Sequence, residues 1–168
     1  LELLVRLNMH KVTNNGTKHA DSDIVFTPPH IADEIITRFR PQGKVLDPCR
    51  GDGAFFSKIP GCEWAEIAEG RDFFQVHGKF DWVVGNPPYS ILNKWLEHSF
   101  EIADHVLYLL PVAKVFGSQK RLNMIREYGG IVEVYAKWTG RQIGFPFGWA
   151  CGAVHISRGY SGGTIFST

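Results

Sequence analysis

The chain has 168 residues, 44% hydrophobic and 21% charged, with 18 Lys plus Arg against 17 Asp plus Glu and a formal charge of +1. These values exclude a disordered or collagen-like chain, and the length suits one domain with its own core rather than two. No apolar run approaches the roughly 20 residues of a membrane span, and the N-terminus lacks the basic-then-apolar layout of a signal peptide, so a cytoplasmic protein is expected. Cys49, Cys62 and Cys151 are too few and too irregular for a disulfide framework or a paired zinc site. The charge is unevenly spread. Residues 1–110 carry 11 basic and 15 acidic side chains, and residues 111–168 carry 7 and 2. Such a basic C-terminal third suits a polyanion or reflects uneven loop composition.

Residues 1–24 read as a polar leading segment, and residues 25–168 as one domain. His19, Asp21 and Asp23 read as a solvated loop rather than a metal site, since nothing nearby completes a ligand set. Pro29 opens a helical pattern with Ile31, Ile35, Ile36 and Phe39 on one face, stopped at Pro41-Gln42-Gly43. Lys44 to Asp47 reads as a strand, followed by the turn Pro48-Cys49-Arg50-Gly51-Asp52-Gly53 and a helix from about Ala54. Glu63 to Ile67 and Phe80 to Gly85 read as strands, the latter running into Asn86-Pro87-Pro88-Tyr89. A helix over Ser90 to Ala103 would bury Leu92, Trp95, Leu96 and Phe100. A strand at His105 to Leu110, a helix at Gln119 to Tyr128 and a strand at Ile131 to Tyr135 follow. Ala153 to Ser157 and Thr164 to Phe166 complete the strands. The alternation predicts an α/β fold, a doubly wound, mostly parallel sheet with helices on both faces.

Four stretches carry chemistry. Two glycines at a strand-to-helix turn let backbone N–H groups approach a ligand. The third glycine of a dinucleotide fingerprint is missing, because position 56 is Phe. Asp47 at the strand end opposes a pyrophosphate and suits a cationic ligand, such as the amino-acid end or sulfonium of S-adenosylmethionine. Glu66 near the end of the second strand can accept both hydroxyls of a ribose or be an exposed strand-end charge. Asp72 can take an adenine amino group beside Phe73, unless Phe73 and Phe74 are core residues. The turn Asn86 to Tyr89 is the most informative. Its prolines keep backbone carbonyls out of a ladder. The Asn86 side-chain oxygen and the Pro87 carbonyl can then accept from one planar amino group, with the Tyr89 ring stacked on the ring bearing it. Two acceptors return electron density to a conjugated nitrogen, so orientation and electrostatics carry the step without a strong base.

Taken together, these stretches resemble the amino-group methyltransferases that use S-adenosylmethionine, in particular the DNA adenine-N6 class with an N-P-P-Y turn. Phe26-Thr27-Pro28-Pro29 before a helix is similar to the family's N-terminal cofactor motif, and its position ahead of the others is similar to the gamma arrangement. The resemblance covers about residues 25–135. It implies that Phe26, Thr27 and Pro28 lie by the methionine end of the cofactor. Asp47, Gly51 and Gly53 would shape that pocket, Glu66 would hold the ribose, and Asp72 and Phe73 the adenine. Asn86 and Pro87 would bind the target amine, Pro88 would stiffen the turn and Tyr89 would stack on the base. A base in duplex DNA must then flip out of the helix.

Only five residues separate Glu66 from Asp72, which leaves no room for a helix between those strands, and only 33 follow Tyr135, which leaves little for a target-recognition region. Phosphate contacts are expected from Lys114, Lys120, Arg121, Lys137 and Arg141. Trp138, Phe145, Phe147 and Trp149 are candidates for base contacts or for the core. The same chemistry on RNA bases or a protein glutamine amide is an alternative. A non-catalytic nucleic-acid-binding or regulatory subunit with a retained fold is another. A nicotinamide-dependent oxidoreductase is disfavoured by Phe56.

Overall fold

The computed structural model describes residues 25–168, so the reading of His19, Asp21 and Asp23 lies outside the described residues. Helix α1 (Pro29–Phe39) begins with proline at its first turn and buries Ile31, Ala32 and Ile35. Its apolar residues recur every three to four positions, so they share one stripe. Arg40, in the left-handed region at φ 47°, ends it by donating its N–H to the Ile36 carbonyl at 2.8 Å.

Seven strands form one sheet: β1 (Val45–Asp47), β2 (Glu63–Trp64), β3 (Phe80–Gly85), β4 (Ala103–Pro111), β5 (Gly129–Thr139), β6 (Ala150–Arg158) and β7 (Ile165–Ser167). Their spatial order is β2-β1-β3-β4-β6-β5-β7. β1 pairs in parallel with β2 and β3, β3 with β4, and β5 with β7. Only β6 runs against its neighbours, β4 and β5. Consecutive residues Val106 to Leu110 of β4 are all buried, so both faces of the sheet's centre are covered. Helix α2 (Leu92–Ile102) packs on β4 through a buried stripe that includes Leu92, Trp95, Leu96 and Phe100. Helix α4 (Gln119–Tyr128), which follows the short α3 (Val112–Phe116), is capped by the Ser118 hydroxyl and packs on β5. A last short helix, α5 (Gly140–Ile143), precedes β6.

Several boundaries differ from those expected. No α-helix follows the glycine turn. Residues 51–60 form turns and one 3-10 turn, Phe56–Lys58, because the Phe56 N–H is held by the Asp47 carboxylate and Pro60-Gly61 soon interrupts the chain. Two further 3-10 turns, Ile67–Glu69 and Phe73–Gln75, replace a helix between β2 and β3, as the short spacing requires. β2 is two residues long, and Glu66 lies beyond it. β5 starts at Gly129, directly at the end of α4, and continues to Thr139 with irregularities between Ile131 and Glu133 and between Tyr135 and Trp138. No helix among the described residues is long and apolar enough to cross a membrane.

Candidate active site

The chain leaves β1 for β2 on one side and returns to β3 on the other. In open parallel sheets such a switch point opens a crevice at the carboxyl ends of the strands. The glycine loop leaves the end of β1 and the Asn86 turn leaves the end of β3, so the pairing of Leu46 with Val83 sets them side by side. The Cys49 thiol donates to the Asn86 carbonyl at 3.2 Å. A Cβ on Gly85 would lie 3.1 Å from Pro48 Cδ and 3.2 Å from Asp47 Oδ1, so this close approach favours glycine.

Asp47 is fully buried, and its two oxygens accept from the N–H groups of Cys49 at 3.2 Å and Phe56 at 3.1 Å. Burial pushes its carboxyl from 3.8 up to about 7, against the lowering effect of those two N–H groups. Its carboxylate therefore acts as the staple that shapes the loop. Burial also pushes the Cys49 thiol well above its ordinary range. Gly51 sits at φ +55° and donates its N–H to Glu66 Oε2 at 2.8 Å, while Glu66 Oε1 accepts from Ala68 N at 3.1 Å. The carboxylate expected to hold a ribose is thus tied to the glycine loop and retains further lone pairs. Beside it, Ile67 is two-thirds exposed. Sequence reasoning missed this residue. An apolar side chain directly after the candidate ribose carboxylate was the available signal.

At the other lip, Asn86 Nδ2 donates to the Val25 carbonyl at 3.3 Å, and its Oδ1 accepts from the Tyr89 hydroxyl at 2.7 Å. The same hydroxyl lies 3.2 Å from the Leu109 carbonyl. Tyr89 is buried, with its ring centroid 5.3 Å from that of Phe145 at an interplanar angle of 31°. Asp72 caps its own 3-10 turn by accepting from Phe74 N at 3.0 Å.

A hollow between these lips is lined by Phe26, Thr27, Cys49, Gly51, Asp52 and Asn86, among others. Its free volume is about 20 Å³, enough for about one water molecule. The Phe26 ring, although more than half exposed, lies over one wall of it: a Cβ on Gly51 would lie 3.1 Å from that ring. Segment 25–27 is folded down as a strap, so a nucleoside enters only if Phe26 leaves Gly51. Thr27 is buried, and Pro28 lies just ahead of α1. Gly53, at φ +91°, has nothing nearer than 4.0 Å to a Cβ and leaves the loop open there.

Two expected contacts are corrected by the packing. Phe73 is 2% exposed, with its ring against Trp95 at 4.6 Å and His98 at 4.8 Å, so it belongs to the core and offers no ring to a ligand. Arg121 is buried and donates to Asn93 Oδ1 at 2.9 Å and to the Lys114 carbonyl, which removes it from the phosphate-facing set. Lys137 is exposed but ion-paired with Glu34. Lys114, Lys120 and Arg141 are exposed. Trp138 and Phe145 are buried, whereas Phe147 and Trp149 are exposed.

A wider depression of about 640 Å³ lies along α1, lined by His30, Asp33, Glu34, Arg38 and Tyr135 among others. Three of its charged residues are ion-paired with groups outside the lining, Arg38 with Glu133, Glu34 with Lys137 and Asp33 with Lys58, and no residue of the Asn86 turn lines it. Among the described residues, no group of three His, Cys, Asp or Glu side chains is placed to hold a metal ion.

No protein-family model matches the chain, and no curated protein matches it in sequence. Solved structures do match in shape. A modification subunit of a putative type I restriction enzyme from Vibrio vulnificus YJ016 is 12% identical with a TM-score of 0.60, covering 97% of this chain and 48% of that one. The chain therefore spans about half the length of that subunit. A putative RNA methyltransferase from Pyrococcus horikoshii is 13% identical with a TM-score of 0.58, covering 94% and 99%. Magnesium protoporphyrin IX methyltransferase from Synechocystis PCC 6803, with bound SAM, is 15% identical with a TM-score of 0.54, covering 77% and 76%. The strand order, the switch-point crevice and these likenesses agree: the chain has the Rossmann-like fold of the S-adenosylmethionine-dependent methyltransferases.

Proposed function

We propose that the chain binds S-adenosylmethionine and methylates the N6 amine of adenine in DNA. One observation carries this reading: the Asn86 side chain and the bare Gly51 loop line the same hollow, at the switch point of the sheet. The residues present fit such a cofactor once Phe26 swings out. Gly51 leaves room for close approach, Glu66 keeps lone pairs for two ribose hydroxyls, and exposed Ile67 offers an apolar face to a flat ring. Buried Asp47 supports the loop from beneath.

When bound, the cofactor supplies an electrophilic methyl group on a sulfonium. The chain's own residues prepare the nucleophile. Asn86 Oδ1 has a second lone pair beyond the one taken by Tyr89, and with the Pro87 carbonyl it can accept both N6 hydrogens. Holding those hydrogens draws the nitrogen lone pair out of conjugation and aims it. Tyr89 forms a wall of the base site, which requires Phe145 to yield its place against the Tyr89 ring. The amine releases its extra proton to water after transfer. Reaching this pocket demands a flipped or single-stranded base.

The same chemistry on RNA is the second reading, supported by the near-complete overlap in length with the Pyrococcus horikoshii protein, a putative RNA methyltransferase. Incubation with methyl-labelled cofactor and separate duplex DNA, single-stranded DNA, RNA and protein, followed by nucleoside analysis, separates the two. Label in N6-methyladenine from DNA is expected. Label found only in RNA or protein, or nowhere, overturns the DNA reading. Asn86→Ala is expected to lose turnover while calorimetry still detects cofactor binding. Near-wild-type turnover in that variant refutes the catalytic assignment.

A further inference from the structure

We propose that the exposed pair Phe147 and Trp149 is a stacking platform for the DNA strand beside the target base, an inference that rests on the DNA reading above. Four observations carry it. The two side chains are 47% and 48% exposed, yet their rings stack on each other, with centroids 4.5 Å apart and planes within 19°. Exposed aromatic rings held parallel to one another present flat faces to a base, and every base has a π-face to offer.

The second observation is the rigidity of their support. Thr139 pairs with Ala150 across β5 and β6, and Gly140 N donates to the Trp149 carbonyl at 2.8 Å, which clamps the base of the 140–149 loop. Thr139 and Gln142 close a capping box at the start of α5, and Ile143 anchors the loop in the core. A Cβ on Gly140 would lie 2.5 Å from the Phe147 carbonyl, so the loop lies flat on that residue. The pair is displayed by a fixed scaffold.

The third is continuity with the candidate active site. Phe145 lies against Tyr89. Phe147 follows it by two residues, a reach of at most roughly 7 Å along the chain. That is about two nucleotide steps along one strand. The platform therefore meets nucleotides within a few steps of a base held at Asn86. The fourth is charge. The exposed Arg141 belongs to the same loop and makes no ion pair among the described residues, and residues 111–168 carry 7 basic against 2 acidic side chains. A phosphate backbone complements that balance.

The test uses the whole chain with duplex and single-stranded DNA carrying 2-aminopurine next to a target adenine. In the wild type, the probe's fluorescence is expected to change on binding as it stacks. Phe147→Ala with Trp149→Ala is expected to abolish that change and to weaken DNA binding by roughly 5- to 100-fold, with cofactor affinity and melting temperature held. Trp149→Phe is expected to recover part of the signal, since it keeps a flat ring. Unchanged DNA affinity and probe signal in the double variant overturn the platform, as does an equal loss of signal in a Trp149→Phe protein that melts as the wild type does. If the wild type binds RNA but no DNA, or transfers no methyl group to DNA, the functional reading fails instead, and the two failures are distinguishable.

Discussion

The Tyr89 hydroxyl donates to Asn86 Oδ1 at 2.7 Å, and so fixes the carboxamide whose oxygen would receive the target amine. With Nδ2 held by the Val25 carbonyl, the amide plane is set from both ends. Tyr89→Phe keeps the ring and removes the tie. Turnover is expected to fall roughly tenfold with little change in KM, and stability by about 1 kcal/mol, the usual worth of one internal hydrogen bond. Steady-state kinetics and thermal melts read both. A variant with wild-type kcat would show that the hydroxyl does not position Asn86.

Asp47 governs the loop through two backbone N–H groups. Asp47→Ala takes this partner from both half-buried donors, at up to about 1–3 kcal/mol each. Loss of cofactor binding and a lower melting temperature are expected, and unchanged affinity by calorimetry refutes the role. The acid's folded pKa, about 7, is raised above 3.8. Its contribution to stability is therefore complete below 3.8 and lost as pH rises through 7. Comparing melts of wild type and Asp47→Asn from pH 4 to 8 should show this slope only in the wild type.

His155 titrates with the opposite sign. It stacks on Trp82 at 4.8 Å, shares a hydrogen bond with His105 at 3.2 Å, and packs edge-on to Phe39. Burial, aided by His105 and opposed by Glu133, pushes its pKa from 6.5 down to about 4. Burial also lowers the pKa of His105, while Asp104 and Asp81 raise it. The folded chain resists protonating His155, so its contribution is complete above 6.5 and lost as pH falls towards 4. His155→Phe, which keeps a ring against Trp82, is expected to flatten the acid side of the melting-temperature profile. An unaltered profile would remove His155 as its source.

Arg121 and Lys120 are neighbours in different surroundings, the first buried and the second exposed. Arg121→Ala strands Asn93 Oδ1 and the Lys114 carbonyl, and is expected to cost about 2 kcal/mol of stability. The salt dependence of DNA binding should not change. Lys120→Ala, on an exposed position, should leave stability intact and lower the salt slope by about 1. Titrations across salt concentrations, together with melts, decide between the assignments.

The strap over Gly51 offers another readout. Hydrogen exchange of residues 25–27 is expected to change when S-adenosylmethionine is added, while that of β4 stays constant. An unchanged strap under saturating cofactor would show that entry does not displace Phe26.

Much of this protein is written locally. Pro29 and the spacing of Ile31 and Ile35 specify α1, the apolar run at 105–110 specifies a buried strand, and the proline pair specifies a rigid corner after β3. Those signals depend on neighbours within a turn or two, so composition and periodicity reveal them. Side chains whose partners are distant in the chain have fates that no local signal announces. Phe73 turns inward because Trp95 and His98 cover it, and Arg121 is consumed by Asn93. Trp138 is buried and Trp149 exposed although one stretch of sequence carries both. Burial depends on which strands become neighbours. The β2-β1-β3 order alone brings Cys49 to Asn86 across 37 residues and makes one hollow of two separate motifs.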